Sequence, residues 1–269
     1  MASPGNLMAG KRGLIMGVAN DHSIAWGIAQ AAAAQGANLA FTYQTDAFAR
    51  RVGPLAESVD AAAMVQCDAS GPDSLDKAFA AIGDTWDNID FVVHAIAYSD
   101  KEELEGRYVN TSQENFLQTM NVSCFSFTAV AQRAAAMMSD SGSLLTLSYH
   151  GANAVMPNYN VMGVAKAALE ASVRYLASDL GPDGIRVNAI SAGPMRTLAG
   201  SAVGAARQIY NYSREVAPLR RNVMLDDVGG AGLYLLSDLS KAVTGEIHYV
   251  DCGFNAIGMP DPAAKNGDG

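Results

Sequence analysis

Residues Lys11 to Ala34 read K-R-G-L-I-M-G-V-A-N-D-H-S-I-A-W-G-I-A-Q-A-A-A-A. An apolar run up to Met16 is followed by Gly17, and apolar residues then recur at helical spacing from Ile24. Gly17 permits a tight turn, and Ser23 suits the N-terminal cap of a helix whose free N–H groups can bind a pyrophosphate. Strand, turn and helix in this order are typical of the first unit of a dinucleotide-binding α/β fold. The match to G-x-G-x-x-G is poor, so a generic strand–helix turn is the alternative.

Further apolar runs predict the rest of a parallel sheet. Between them lie segments with helical periodicity, which indicates a doubly wound, Rossmann-like sheet covered by helices on both faces. The predicted strands are residues 37–43, 64–67, 89–97, 143–147 and 185–190, with a last strand at 246–250. We expect one domain over residues 11–259, a loose N-terminal arm over residues 1–10 and a flexible tail over residues 260–269. A single long helix is expected from Ser112 to Met138.

The composition excludes several classes of protein. The chain has 269 residues and is 49% hydrophobic, which is enough for a sizeable core. It contains neither an apolar run long enough to cross a bilayer nor a signal-peptide pattern. The net charge of −9 argues against general nucleic-acid binding. Three cysteines without C-x-x-C spacing indicate reduced thiols in a cytoplasm, and four scattered histidines do not suggest a metal site.

Polar residues follow several predicted strands, at the sheet edge where ligands of open α/β sheets bind. Gln44 ends the second strand, where a neutral amide suits the 2′-hydroxyl of NADH better than the 2′-phosphate of NADPH. It could instead be an exposed loop residue. Asp68 could accept from an adenine amino group or simply begin a polar loop. Ser99 follows the fourth strand, whereas His94 within that strand is expected to be a satisfied core histidine.

Residues Tyr149 to Lys166 read Y-H-G-A-N-A-V-M-P-N-Y-N-V-M-G-V-A-K. Tyr159 and Lys166 are seven residues apart, so on a helix they share a face about 10.5 Å apart along the axis. Phenols donate well to a developing oxyanion, and an ammonium group can hold a sugar hydroxyl. Alternatively, Tyr149 and Tyr159 are packing residues and Lys166 is a solvated helix residue.

The loop after the sixth strand, Ser191 to Thr197, carries Gly and Pro and is expected to turn at the same sheet edge. Thr197 there can reach a phosphate or an amide. The following segment, Leu198 to Tyr212, is a candidate helical lid over the substrate. Five arginines and one acid lie between Arg196 and Arg221, which gives this region a net charge of +4 within an acidic chain. Such a patch could steer an acidic partner or be ordinary solvated surface.

From about Lys11 to Met259 the chain resembles the bacterial enoyl-acyl carrier protein reductases, a divergent branch of the short-chain dehydrogenase/reductase superfamily. The stretches that carry the resemblance are G-V-A-N-D-H-S-I-A-W-G-I-A, L-A-F-T-Y-Q, Q-C-D, L-L-T-L-S-Y, P-N-Y-N-V-M-G-V-A-K-A-A-L-E and R-V-N-A-I-S-A-G-P-M-R-T-L-A. Ordinary members of the superfamily place tyrosine and lysine four residues apart. Here Gly163 occupies that position, the lysine is Lys166, and Tyr149 stands in place of the usual serine.

The resemblance implies a cytoplasmic, homotetrameric enzyme that reduces enoyl thioesters on acyl carrier protein with NADH. It implies that Tyr159 faces the thioester carbonyl, that Tyr149 is the second active-site phenol, and that Lys166 holds the nicotinamide ribose. Ser99 would lie beside the substrate. The implied NADH-binding residues are Gly17, Ser23, Ile24, Gln44, Asp68, Ala69, Ile96, Lys166, Met195, Arg196, Thr197, Leu198 and Ala199.

Two other functions stay open at this point. A carbonyl-reducing member of the superfamily, such as a 3-oxoacyl thioester reductase, is disfavoured because the four-residue tyrosine–lysine spacing is absent. A protein that binds NAD(H) without chemistry is disfavoured because a sensor needs neither phenol.

Overall fold

A computed structural model describes residues 5–197 and 206–259, and its described part contains one parallel sheet. The strands are β1 (Arg12–Met16), β2 (Asn38–Tyr43), β3 (Ala63–Gln66), β4 (Phe91–His94), β5 (Gly142–Ser148), β6 (Ile185–Ala192) and β7 (Ile247–Val250). Their spatial order is β3-β2-β1-β4-β5-β6-β7, and every neighbouring pair is parallel. The predicted Rossmann-like doubly wound sheet is confirmed.

Nine α-helices are described around this sheet. They are α1 (Ile24–Ala33), α2 (Asp46–Glu57), α3 (Pro72–Thr85), α4 (Lys101–Leu104), α5 (Gln113–Met120), α6 (Ser126–Ala135), α7 (Asn160–Leu180), α8 (Ala206–Val216) and α9 (Leu225–Leu236). Short 3₁₀ turns lie at Tyr108–Asn110, His150–Ala152, Gly181–Asp183, Asp238–Ser240 and Phe254–Ala256. Within the described residues, no helix combines the length and apolarity that a membrane span requires.

The two faces of the sheet bury separate apolar clusters, as alternation along the strands requires. Leu14 and Leu144 belong to one cluster, whereas the adjacent Ile15 and Leu145 belong to the other. All four side chains are at most 1% exposed. Because both faces are covered, the strands are apolar almost without interruption, which is why the sequence pattern identified them.

The strand order reverses next to β1, and this reversal positions the site. β1 pairs with β2 on one side and with β4 on the other, so the connections that leave these strands run to opposite sides of the sheet. In open α/β sheets a crevice forms at this point, beyond the carboxyl ends of the strands. The turns after β1 and β4 therefore both border a cleft.

The long helix predicted from Ser112 to Met138 is confirmed over residues 113–135, but it is not a regular α-helix. A π-helical segment, Asn121–Phe125, lies between α5 and α6, and α6 ends at Ala135. The Oγ atom of Ser123 accepts from the Tyr98 N–H and donates to the Tyr98 carbonyl, both at 2.9 Å. This clamp on a distant loop accompanies the widened turn, and such turns often occur beside functional sites.

The described part of the predicted loose arm packs against the domain. Met8 is only 1% exposed and joins one of the two apolar clusters. The N–H groups of Gly5 and Met8 donate to the carbonyl groups of Ala34 and Gln35, just beyond α1. Residues 5–10 therefore cover the end of α1, while residues 1–4 and the predicted tail over residues 260–269 lie outside the described part of the chain.

Candidate active site

An open cleft of about 1440 Å³ lies at the carboxyl ends of the strands. The predicted site residues that the structure describes all line this cleft. They are Gly17, Ser23, Ile24, Gln44, Asp68, Ala69, Ile96, Ser99, Tyr149, Tyr159, Lys166, Met195, Arg196 and Thr197. Leu198 and Ala199, the remaining predicted residues, lie outside the described ranges. The volume exceeds the roughly 300–1,000 Å³ of most small-molecule pockets, so the cleft can hold two molecules together.

The turn after β1 fits a glycine and leaves the start of α1 open. Gly17 has a φ of +99°, and a Cβ atom there would lie 2.1 Å from the Ala95 carbonyl oxygen. Ser23 takes the N-terminal cap position of α1, but its side chain does not cap that helix. Its Oγ atom accepts instead from the N–H groups of Ala19 and Asn20, at 3.0 and 3.1 Å. The first turn of α1 can thus receive an anion from the cleft.

The far end of the cleft carries polar groups from the ends of β2 and β3. Gln44 is exposed, which fits both the predicted ribose contact and the alternative of a loop residue. Ser70 donates its N–H and its hydroxyl to Asp68 Oδ1, at 2.9 and 2.7 Å. These two hydrogen bonds hold the pKa of Asp68 below its usual value, while partial burial acts against them. An ionised carboxylate and a neutral amide therefore lie together at this end.

The phenols of Tyr149 and Tyr159 meet at the other end of the cleft. Tyr149 directly follows β5, and Tyr159 occupies the cap position just before α7. Burial raises the pKa of Tyr149 to about 12. Burial raises the pKa of Tyr159 still further, and the nearby Tyr149 and Glu170 act in the same direction. Both phenols therefore keep their protons at neutral pH and can act as hydrogen-bond donors.

Glycines make room for this tyrosine pair. A Cβ atom on Gly151 would lie 2.4 Å from Cδ1 of Tyr159. A Cβ atom on Gly163, in the first turn of α7, would lie 2.8 Å from the Gly151 carbonyl oxygen. The backbone of the 3₁₀ turn and the first turn of α7 thus approach each other more closely than side chains would allow.

Lys166 is not a solvated helix residue, because only 6% of it is exposed. Its Nζ atom donates to the Leu147 carbonyl oxygen at 2.7 Å. Burial lowers the pKa of this ammonium group from 10.5 to about 8, while Cys124 and Glu170 act in the opposite direction. The end of β5, just before Tyr149, thus holds the Lys166 ammonium group at the wall of the cleft. This group is charged at neutral pH.

Ser99 lines the cleft, but its hydroxyl is engaged by α5. It accepts from Thr119 Oγ1 at 2.9 Å and donates to Asn115 Oδ1 at 3.3 Å. His94, on the strand before it, is fully buried between the hydroxyls of Thr146 and Ser126. The prediction that His94 is a satisfied core histidine is confirmed.

Several lining residues were not found from the sequence. The cleft also contacts Phe48, Met156 and Met162, none of which was predicted from the sequence. Met162 lies three residues after Tyr159, so helical spacing could have placed it on the same side of α7. Phe48 lies on α2 and Met156 on the loop before α7, where no pattern points to the cleft.

The described part of the predicted lid, on α8, also lines the cleft through Ile209 and Tyr210, whereas residues 198–205 lie outside the described ranges. Arg196 lies over the Tyr210 ring, with its Cζ atom 4.8 Å from the ring centroid, and joins the loop after β6 to α8.

The fold and this cleft place the chain among the Rossmann-like α/β proteins. A family model described as enoyl-(acyl carrier protein) reductase matches residues 17–255. The chain is 61% identical to the enoyl-acyl-carrier-protein reductase (NADH) 2 of Rhizobium meliloti, over 94% of this chain and 95% of that protein. The chain belongs to the enoyl-(acyl carrier protein) reductase family.

Solved structures agree with this assignment. The crystal structure of FabI from Candidatus Liberibacter asiaticus matches with a TM-score of 0.94 and 56% identity, covering 96% of this chain and all of that one. The reductase from Anaplasma phagocytophilum, solved in complex with NAD, matches with a TM-score of 0.92 and 55% identity over 96% of both chains. The resemblance inferred from the sequence is confirmed.

Proposed function

We propose that this protein is an NADH-dependent enoyl-acyl carrier protein reductase of fatty acid biosynthesis. It reduces the trans-2 double bond of an enoyl thioester. The observation that carries this proposal is the meeting of Tyr149, Tyr159 and Lys166 in one cleft of a chain that belongs to the reductase family.

The residues present fit an NADH molecule. The open start of α1 beside Gly17 suits a pyrophosphate, and Gln44 with Asp68 suits an adenosine that lacks a 2′-phosphate. Lys166 is the ammonium group available for the nicotinamide ribose hydroxyls. When bound, NADH supplies the hydride that adds to the β-carbon of the enoyl group.

The protein's own contribution is to stabilise the charge that develops on the thioester oxygen. Addition at the β-carbon turns the carbonyl into an enolate, whose negative oxygen needs a donor already in place. The Tyr159 hydroxyl is assigned this role, because its raised pKa keeps it protonated. Tyr149 supports it as the second phenol, and Lys166 orients the cofactor.

Nicotinamide oxidation tests this function directly. Purified protein is mixed with NADH and either a trans-2-enoyl thioester or a 3-oxoacyl thioester, and absorbance is followed. We expect oxidation with the enoyl substrate and a clear preference for NADH over NADPH. Oxidation with the 3-oxoacyl substrate alone would indicate the carbonyl-reducing alternative, and binding without oxidation would indicate the sensor. Equal use of NADPH would contradict the role assigned to Gln44.

The carrier protein is proposed to dock beside the cleft on the exposed arginines of α8. In the described part of the chain, the side chains of Arg207 and Arg214 have neither a salt bridge nor a hydrogen bond. By contrast, Arg221 is paired with Asp227, and Arg220 donates to the Glu215 carbonyl. The free charges of the patch are therefore fewer than the sequence count suggests, and Arg207 itself lines the cleft.

A homotetramer in the cytoplasm is also proposed. Large apolar side chains are exposed on α5, the π-helical segment and α7, where Leu117 is 58%, Phe125 59% and Tyr175 75% exposed. Apolar surface on neighbouring helices suits contact between subunits. Light scattering should then give four times the chain mass of 28.1 kDa. Three free, buried cysteines support a reducing compartment.

A further inference from the structure

Glu170 is a buried carboxylate beside the candidate active site that the proposed mechanism leaves without a role. It lies on α7, one turn after Lys166, and only 5% of it is exposed. Ser148 Oγ donates to Glu170 Oε1 at 2.5 Å, and Asn153 Nδ2 donates to Glu170 Oε2 at 3.2 Å. Burying a carboxylate costs free energy unless its oxygens are hydrogen-bonded. Both oxygens of Glu170 accept hydrogen bonds, so its burial is tolerated.

The two buried charged residues of α7 hold consecutive residues of β5. Lys166 donates to the Leu147 carbonyl oxygen, and Glu170 accepts from the Ser148 hydroxyl. The next residue is Tyr149. Short bonds at successive positions fix both the register and the spacing between the strand end and the helix, and an apolar residue at position 170 could not do this.

We propose that Glu170 is a positioning residue of the active site. It holds the end of β5, which leads to Tyr149, against α7, which carries Lys166 and begins just after Tyr159. This inference rests on the proposed enoyl reductase function. Asn153 extends the network, because its Nδ2 atom also donates to the Tyr249 hydroxyl, at 3.0 Å. Asn153 thereby links the Glu170 carboxylate to Tyr249 on β7.

The charge of Glu170 also acts on Lys166. The titratable groups around Lys166 are Glu170 on the same helix, Cys124 from the π-helical segment, His94 from β4, and the two phenols, Tyr149 and Tyr159. Burial lowers the pKa of His94 to about 3, so that ring is neutral. The phenols are neutral as well. Removing the Glu170 charge should therefore lower the pKa of Lys166, because less remains to oppose the effect of burial.

The test compares Glu170→Gln with Asp179→Asn, which makes the same charge change at an exposed position of the same helix. The dissociation constant of NADH is measured by nicotinamide fluorescence between about pH 6 and about pH 9.5. In the wild type, affinity should begin to fall near the Lys166 pKa of about 8. In Glu170→Gln the fall should begin at a lower pH than in the wild type. Asp179→Asn should match the wild type.

Two further variants separate charge from geometry and cover the case in which Glu170→Gln does not fold. Ser148→Ala removes the shortest bond but leaves the carboxylate. It should lower kcat on the enoyl thioester about tenfold or more while the pH profile of NADH binding is unchanged. Glu170→Asp keeps the charge and should retain the wild-type pH profile.

The outcomes distinguish the two proposals. If Glu170→Gln binds NADH with the wild-type pH profile, or if Ser148→Ala turns over at the wild-type rate, Glu170 is not a positioning residue even though the reductase function stands. If the wild-type protein neither binds NADH nor reduces an enoyl thioester, both proposals fall together.

Discussion

The rings of Tyr149 and Tyr159 meet edge to face, with centroids 5.0 Å apart and planes inclined at 70°. This contact joins the end of β5 to the start of α7, two elements that separate hydrogen bonds already hold together. The arrangement favours an attractive contact between the positive edge of one ring and the negative face of the other. A change that moves one ring should therefore move the other.

Replacing Tyr159 by Phe removes the hydroxyl assigned to the enolate and keeps the ring. We expect kcat on a trans-2-enoyl thioester to fall about 10²-fold, which is typical for loss of one oxyanion donor. NADH affinity should stay near the wild-type value, because the phenol is not assigned to the cofactor. Tyr108→Phe, at an exposed position that does not line the cleft, is the matched control. Unchanged turnover in Tyr159→Phe would remove this residue from the mechanism.

Lys166→Ala should weaken NADH binding about tenfold or more at neutral pH, because it removes charged hydrogen bonds to the ribose. The folded-state pKa of Lys166, about 8, makes the wild-type affinity fall as the pH rises through that value and the ammonium group loses its proton. The variant has no such group, so its affinity should not show this fall.

Titration of NADH fluorescence at several pH values measures both effects. Lys77→Ala, at an exposed position of α3, should behave as the wild type does. A wild-type dissociation constant and pH profile in Lys166→Ala would rule out the assigned cofactor contact.

Gly151→Ala should disturb the tyrosine pair while leaving both tyrosine residues chemically unchanged. The new Cβ atom would lie 2.4 Å from the Tyr159 ring, so the ring must shift. We expect kcat to fall about tenfold or more, since small displacements of a catalytic group are costly. Gly83→Ala is the matched control, because a Cβ atom there meets nothing within 4 Å. That variant should keep full activity and gain up to about 1 kcal/mol in unfolding free energy.

Reversing the charge of Arg207 and Arg214 together should weaken the use of carrier-linked substrate. We expect kcat/KM for an enoyl-acyl carrier protein to fall about tenfold or more at low salt, and the loss to shrink as salt screens the interaction. A short enoyl thioester without the carrier should react at the wild-type rate.

The control for this pair reverses two exposed cations elsewhere, Lys77 on α3 and Arg174 on α7, and thus makes the same change in net charge. Equal losses on both substrates would mean that the charge reversal damages the cleft. No loss on either substrate would mean that the arginines are only solvated surface.

The sequence identified those parts of the fold that short-range patterns determine. The strands were found because a sheet covered on both faces needs continuous apolar runs, and the strand ends then located Gln44 and Tyr149. The π-helical segment between α5 and α6 was not found, because it accompanies the clamp that Ser123 makes on Tyr98, a contact 25 residues away.

The same limit applies to Glu170. An acidic residue within a helix ordinarily faces water, so its sequence position gives no sign of burial. Its burial is possible only because Ser148 and Asn153, from a strand end and a turn, supply donors. The burial of Met8 was missed for a related reason, because the segment over residues 1–10 is too short to show a hydrophobic periodicity.

The close approach of Gly163 to the Gly151 carbonyl oxygen has an evolutionary consequence. Position 163 is where an ordinary short-chain dehydrogenase would carry its lysine, yet even a Cβ atom there would lie 2.8 Å from backbone oxygen. Contact with backbone cannot be relieved by a change of rotamer. A single substitution therefore cannot give this protein the shorter tyrosine–lysine spacing, because the turn at His150–Ala152 would have to be rebuilt first. In this protein the longer tyrosine–lysine spacing is thus maintained by a backbone contact as well as by the choice of residues.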